Sequence, residues 1–192
     1  YWEGLILLEK GEVEPARTAL GLARAAADSP RLRADVAIAL GDSALALDRF
    51  DEAIARYQEA LDLHAPGARN AYALFRLGQA RQRSGDWGAG RSHLELVLER
   101  YPDSPVARLA RERLRFPVHG FHVAVASFDD PDRAAELERE LERRGYPARR
   151  VHDANGSTPW RVWVGPYASY ADASAAQAEL GAALERRLEI LP

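Results

Sequence analysis

Phe121-His-Val-Ala-Val-Ala-Ser-Phe128 and Trp160-Arg-Val-Trp-Val-Gly-Pro-Tyr167 are the two stretches whose reading decides the fold of the C-terminal part of this chain. In both, apolar residues return at every second position, the period of a strand with one buried face. Phe121, Val123 and Val125 make one row and Val162 and Val164 another, with Trp160 on the same side. His122, Ala124, Arg161 and Trp163 then lie on the opposite face, while Tyr167 suits either side. The large apolar rows need cover, and two helices are available. Asp130 is a natural N-cap with Pro131 at the first helical position. Ala134, Leu137 and Leu141 follow at helical spacing, and Gly145 ends the helix. A short strand at about Ala148–His152 and a turn signal at Asn155-Gly156 lead into the second stretch. After Gly165-Pro166 a second helix is expected over about 171–184, with Ala173, Ala176, Leu180 and Leu184 inward. Leu188–Leu191 is a last strand, so the order is β-α-β-β-α-β.

Upstream of Pro117 the period becomes helical and the chain repeats itself. Gly4, Gly41 and Gly78 stand 37 residues apart. Twelve residues after each stands a small residue (Ala16, Ala53, Gly90), and sixteen after each a large one (Leu20, Tyr57, Leu94). Nineteen after each come Ala23, Ala60 and Val97. Small residues let two antiparallel helices approach, and large ones fill the space beside them. Turn-formers fall within the repeats at Glu9-Lys10-Gly11, Asp48-Arg49-Phe50 and Ser84-Gly85-Asp86, and between them at Ser29-Pro30 and Pro66-Gly67. The first repeat is short of opening residues, so a truncated helix is expected there. After the third repeat, Ser104 is expected to cap a final helix that starts at Pro105 and runs to about Arg115. Val106, Leu109, Ala110 and Leu114 share its inner face, and Arg108, Arg111, Arg113 and Arg115 read as a solvated face.

The 37-residue pattern resembles the tetratricopeptide repeat, a helix-turn-helix unit of about 34 residues, with three more residues in each connection. The resemblance implies an array of three repeats and a capping helix over residues 1–116. The first helices of such arrays line a concave groove that recruits a protein or peptide. Groove positions here would include Asp35, Ile38, Asp42, Tyr72, Phe75, Arg76, Gln79 and Arg83. The bland alternative is a scaffold with no groove ligand.

Residues 117–192 resemble a second family. The Phe121–Phe128 stretch, Ala134, Leu137, Leu141, Gly145-Tyr146, Ala148, the Trp160–Tyr167 stretch and Ala173 keep the pattern and spacing of the SPOR domain. That resemblance implies a four-stranded antiparallel sheet with both helices on one face. The other face would be an open groove binding peptidoglycan glycan strands, especially those stripped of stem peptides. The expected fold class is therefore multidomain, α followed by α+β. Arg161 matches the family's ligand-contacting arginine and Ser127 its strand-end serine, with His122, Ala124 and Trp163 on the same face. Two positions depart from the family: Ala124 stands where glutamine is common, and Ala126 where glycine is. Losing the amide removes a donor–acceptor pair for sugar hydroxyls. An indole beside a guanidinium suits a sugar, the ring stacking on C–H faces and the fork binding oxygens. Trp163 can also be read as cover for a small-residue strip at Ala124 and Ala126. Arg161 and Trp163 are both expected outside the core. The resemblance places the protein in the periplasm or cell envelope, with any signal or membrane anchor upstream of Tyr1. A scaffold whose sheet no longer binds glycan is the alternative function.

Composition narrows the remaining classes. No apolar run approaches the ~20 residues needed to span a bilayer, and the net charge of −3 carries no basic excess for a nucleic acid. Cysteine is absent, which excludes disulfides and thiol chemistry. The five histidines show no convincing metal-ligand spacing. The expected open face carries no carboxylate, whereas glycosidases need two acids about 5 to 10 Å apart. Neither a phosphate loop nor a nucleophile elbow is present, and the basic-aromatic signature of an RNA-binding sheet is missing. No cofactor, metal or catalysis is expected.

Overall fold

The computed structural model of the chain describes residues 1–63, 69–115, 120–153 and 158–191. The turns expected at Pro66-Gly67 and Asn155-Gly156, and the break at Pro117, lie outside the described residues. The chain divides into two compact units, Tyr1–Pro117 and Val118–Pro192.

The first unit is helical. Its described elements are α1 (Trp2–Glu9), α2 (Val13–Ala26), α3 (Pro30–Ala46), α4 (Phe50–Asp62), α5 (Asn70–Arg83), α6 (Trp87–Arg100) and α7 (Pro105–Leu114). Each helix packs on the next, and α7 also packs on α5. The 37-residue pattern has a direct steric cause. A Cβ on Gly4 would come within 2.6 Å of Leu20, one on Gly41 within 2.7 Å of the Tyr57 ring, and one on Gly78 within 3.1 Å of Leu94. The glycine of each first helix is thus the hollow that receives the large residue sixteen positions on. The same period recurs in the turns, where Gly11, Asp48 and Gly85 all take positive φ (77, 55 and 89°), the conformation that closes a tight helix-to-helix turn.

Caps follow the sequence in most places. Ser29 accepts a hydrogen bond from the Leu32 N–H at 3.3 Å ahead of Pro30, and Asp86 accepts from the Ala89 N–H at 3.1 Å. Ser104 stands at the N-cap of α7 as expected, but its hydroxyl makes no capping bond. Val106, Ala110 and Leu114 of α7 pack inward as expected and Ala107 joins them, whereas Leu109 is exposed.

The second unit runs β1 (Phe121–Phe128), α8 (Pro131–Arg143), β2 (Ala148–His152), β3 (Trp160–Tyr167), α9 (Tyr170–Ala183) and β4 (Glu189–Leu191). Its four strands form one antiparallel sheet in the order β2-β3-β1-β4. Asp130 caps α8 through the Asp132 N–H at 2.8 Å, and Ser169 caps α9 through the Asp172 N–H at 3.1 Å. Both helices pack on the same side, over Val123, Val125, Val162, Val164 and Leu188, with Ala134, Leu141, Ala176 and Leu180 from the helices filling the layer. Trp160 packs against this core as its alternation requires, and so does Tyr167. No helix among the described residues is long and apolar enough to cross a membrane.

Candidate functional site

The face of the sheet away from the helices is built row by row from cross-strand partners, which share a face. One row runs Arg149, Trp163, Ala124 and Glu189 across all four strands. The next runs Val151, Arg161 and Ser127. Ala124 and Ser127 are three apart in sequence, so strict alternation would put them on opposite faces. A register shift between Ala124 and Ala126 reconciles them: Val125 and Ala126 together oppose Val162, a β-bulge that restores Ser127 to the Arg161 side. Ala126 falls in the Val162 row and leaves the open face, so the expected small-residue strip reduces to Ala124. Gly165, next to the end of β3, is required by close approach. It has φ +131°, and a Cβ there would lie 2.6 Å from the Phe121 carbonyl oxygen.

The five sheet residues expected to meet ligand share one face, but their exposure differs from expectation. Ser127 is exposed and Arg161 half-buried. Trp163 is only 3 % exposed and His122 only 1 %. The expectation that Trp163 stands clear of packing is therefore overturned. Its indole lies beside His122 (ring centroids 5.6 Å apart), and the Arg149 guanidinium sits over it at 5.7 Å. Reading Trp163 as cover for Ala124 fits this geometry, since the two are cross-strand partners.

His122 is locked on both sides. Its Nδ1 lies 3.1 Å from the Gly120 carbonyl and its Nε2 lies 2.6 Å from Arg149 Nη2. A neutral ring satisfies both, with Nδ1–H donating to Gly120 and bare Nε2 accepting from the guanidinium. Burial and the neighbouring Arg149 charge lower the His122 pKa to about 4, against a small opposing pull from the Gly120 carbonyl.

Carboxylates also reach this face, contrary to the sequence expectation. Arg161 Nη2 donates to Asp153 Oδ2 at 2.9 Å, and Asp153 is itself largely buried. Glu189, exposed, pairs with Ala124 across β1 and β4. Alternation within β1 and β3 could not reveal either acid, because both belong to the sheet's outer strands or their ends. Arg149 was missed for the same reason: β2 has five residues, and its facing is set by its register on β3.

In the first unit, the expected groove residues separate into two sets. Asp42, Tyr72, Arg76 and Gln79 form one network. Asp42 accepts from the Tyr57 hydroxyl (2.7 Å), the Tyr72 hydroxyl (3.0 Å) and Arg76 Nε (2.9 Å), and Arg76 also donates to Gln79 (3.0 Å). Burial pushes the Tyr57 and Tyr72 hydroxyl pKa values up, with the Asp42 charge adding; Tyr72 reaches about 12. Asp35 and Arg83 are partly exposed on the same first helices, α3 and α5. Ile38 and Phe75 are corrections: Ile38 is fully buried in the α3–α4–α5 core, and Phe75 is buried against the α6–α7 side. A helix in a stacked array buries residues on more than one side, so helical spacing alone cannot single out the groove stripe.

No group of three or more histidine or acidic residues among the described residues is placed to hold a metal ion. With this geometry in hand, the family comparisons are specific. Residues 72–104 match the tetratricopeptide repeat and residues 117–186 match the SPOR domain, in that order. No curated protein matches the chain. The first match covers α5 and α6; the second covers the sheet through β3 and both of its helices. A SPOR domain implies peptidoglycan binding and a place in the cell envelope, and tetratricopeptide repeats imply protein interaction. Both are binding modules rather than catalytic ones.

Proposed function

We propose that this is a non-enzymatic envelope protein, acting in the periplasm, that binds peptidoglycan glycan strands poor in stem peptides through the open face of its SPOR sheet. One observation carries the reading: within the SPOR match, on the face away from the helices, Arg161 lies directly opposite Ser127. Arg161 supplies a guanidinium already oriented by Asp153, and Ser127 an exposed hydroxyl beside it. Oriented donors of this kind suit a ligand covered in hydroxyl and carbonyl oxygens. The tetratricopeptide unit serves a second role, recruiting a protein or peptide through Tyr72, Arg76, Gln79, Asp35 and Arg83.

Co-sedimentation with purified sacculi, before and after amidase treatment, tests the glycan reading. Binding should rise when stem peptides are removed, and no muropeptides should be released. Absence of binding to both preparations would refute it. The shielding of Trp163 favours a second reading, a scaffold whose sheet binds no glycan, and the same experiment separates the two.

A further inference from the structure

Arg149 has no role in the reading above, yet it is the sheet-face guanidinium with no carboxylate partner among the described residues. Its neighbours on the same unit are neutralised: Arg161 by Asp153, Arg150 by Glu138 and Arg144 by Glu140. Arg149 instead rests on two uncharged groups, the Nε2 of His122 and the ring of Trp163. It is exposed, so its charge faces solvent on the ligand side. A guanidinium has five N–H donors, and His122 takes one. The rest remain to form a fork against a planar anion, with the plane held by the indole below.

The row it belongs to is polarised. Arg149 stands at the β2 edge and Glu189 at the β4 edge, with Trp163 and Ala124 between them. Three strand spacings put them about 14 Å apart. Such a row favours an anionic group at the β2 edge and repels one at the β4 edge.

We infer that Arg149, seated on His122 and Trp163, is the subsite for a sugar-borne carboxylate of the glycan, the group exposed when a stem peptide is cut from its muramyl residue. This deepens the proposed function and rests on it. Hydrolysis of the amide joining peptide to sugar leaves one carboxylate on each stripped residue, so the subsite reads stripping as charge. His122 stays neutral at ordinary pH, which keeps its Nε2 an acceptor for Arg149 and adds no competing cation.

The test uses the whole chain and three wall preparations: intact sacculi, amidase-stripped sacculi, and stripped sacculi whose carboxylates have been converted to methylamides with carbodiimide. Wild type should bind stripped wall best and lose about 10- to 150-fold on carboxylate capping, the range for a hydrogen bond to a charged group. Arg149→Gln, checked to be folded at the assay temperature, should lose a similar factor on stripped wall and be insensitive to capping. Equal binding of wild type to stripped and capped wall would overturn the inference while leaving glycan binding intact. So would an Arg149→Gln variant that binds like wild type. Stronger binding to intact than to stripped wall would place the anion on the peptide and overturn it as well. Failure of wild type to bind any preparation would sink the proposed function itself, and the subsite with it.

Discussion

The buried His122 makes the sheet unit sensitive to acid, and the size of the effect can be worked out. In the unfolded chain the ring titrates near 6.5; in the folded chain burial and Arg149 hold it to about 4. Between those values the unfolded state binds the extra proton, so stability rises with pH across the window. It is complete above about 6.5 and falls as the pH drops towards 4. A separation of about 2.5 units at about 1.4 kcal/mol each gives roughly 3 kcal/mol lost once the pH is below both values. Protonation also removes the acceptor at Nε2, so Arg149 is released from its seat. The assay is amide hydrogen exchange at Val123 and Val164, buried positions in β1 and β3, from pH 7 to 4. Asp153 and Glu189 share this face, so the readout is the difference from His122→Gln, which offers an acceptor but no imidazole. The wild type should lose about 2 to 3 kcal/mol more than the variant on acidification. Parallel pH profiles for the two would refute the account of His122 as a buried neutral acceptor.

Trp163→Ala should destabilise the sheet unit by about 3 to 5 kcal/mol, the range for truncating a buried aromatic, in urea unfolding; a loss below about 1 kcal/mol would show that the indole is not packed as described. Gly41→Ala should cost about 1 to 3 kcal/mol because the added methyl meets the Tyr57 ring at 2.7 Å, whereas Gly21→Ala, whose added Cβ meets nothing within 4 Å, should be neutral or stabilising in the same thermal melts. Asp42→Ala should cost about 1 to 3 kcal/mol by taking the shared acceptor from Tyr57, Tyr72 and Arg76, and an unchanged melting temperature would argue that the network is not formed.

Much of the architecture was legible in local pattern. The 37-residue recurrence of Gly4, Gly41 and Gly78 encodes a steric fit: the residue sixteen positions on fills the space the missing side chain leaves. Alternation in β1 and β3, with Asp130 and Pro131 between them, reports the two periods and the cap that define a β-α-β start. These signals are readable because each depends on residues close in the chain or on a strict period. The residues expected in the groove did not all stay on one surface. Asp42, Tyr72, Arg76 and Gln79 do meet in one network, but Ile38 and Phe75 turn into cores, since a stacked helix has neighbours on several sides.

The sequence by itself determined the repeat, the helical caps, the strand faces of β1 and β3, and the SPOR and tetratricopeptide resemblances. Only the tertiary structure decided what the open face of the sheet presents. Whether Trp163 is bare or covered depends on Arg149 and His122, which come from two other strands. Whether Ser127 joins Arg161 depends on a one-residue bulge at Val125 and Ala126 that shifts the register midway along β1. Whether carboxylates reach the face depends on how the short strands β2 and β4 pair at the edges. The physical reason is common to all three: a strand's period says which residues share a side, but its partners and register set what lies beside them, and these are fixed by contacts distant in the chain.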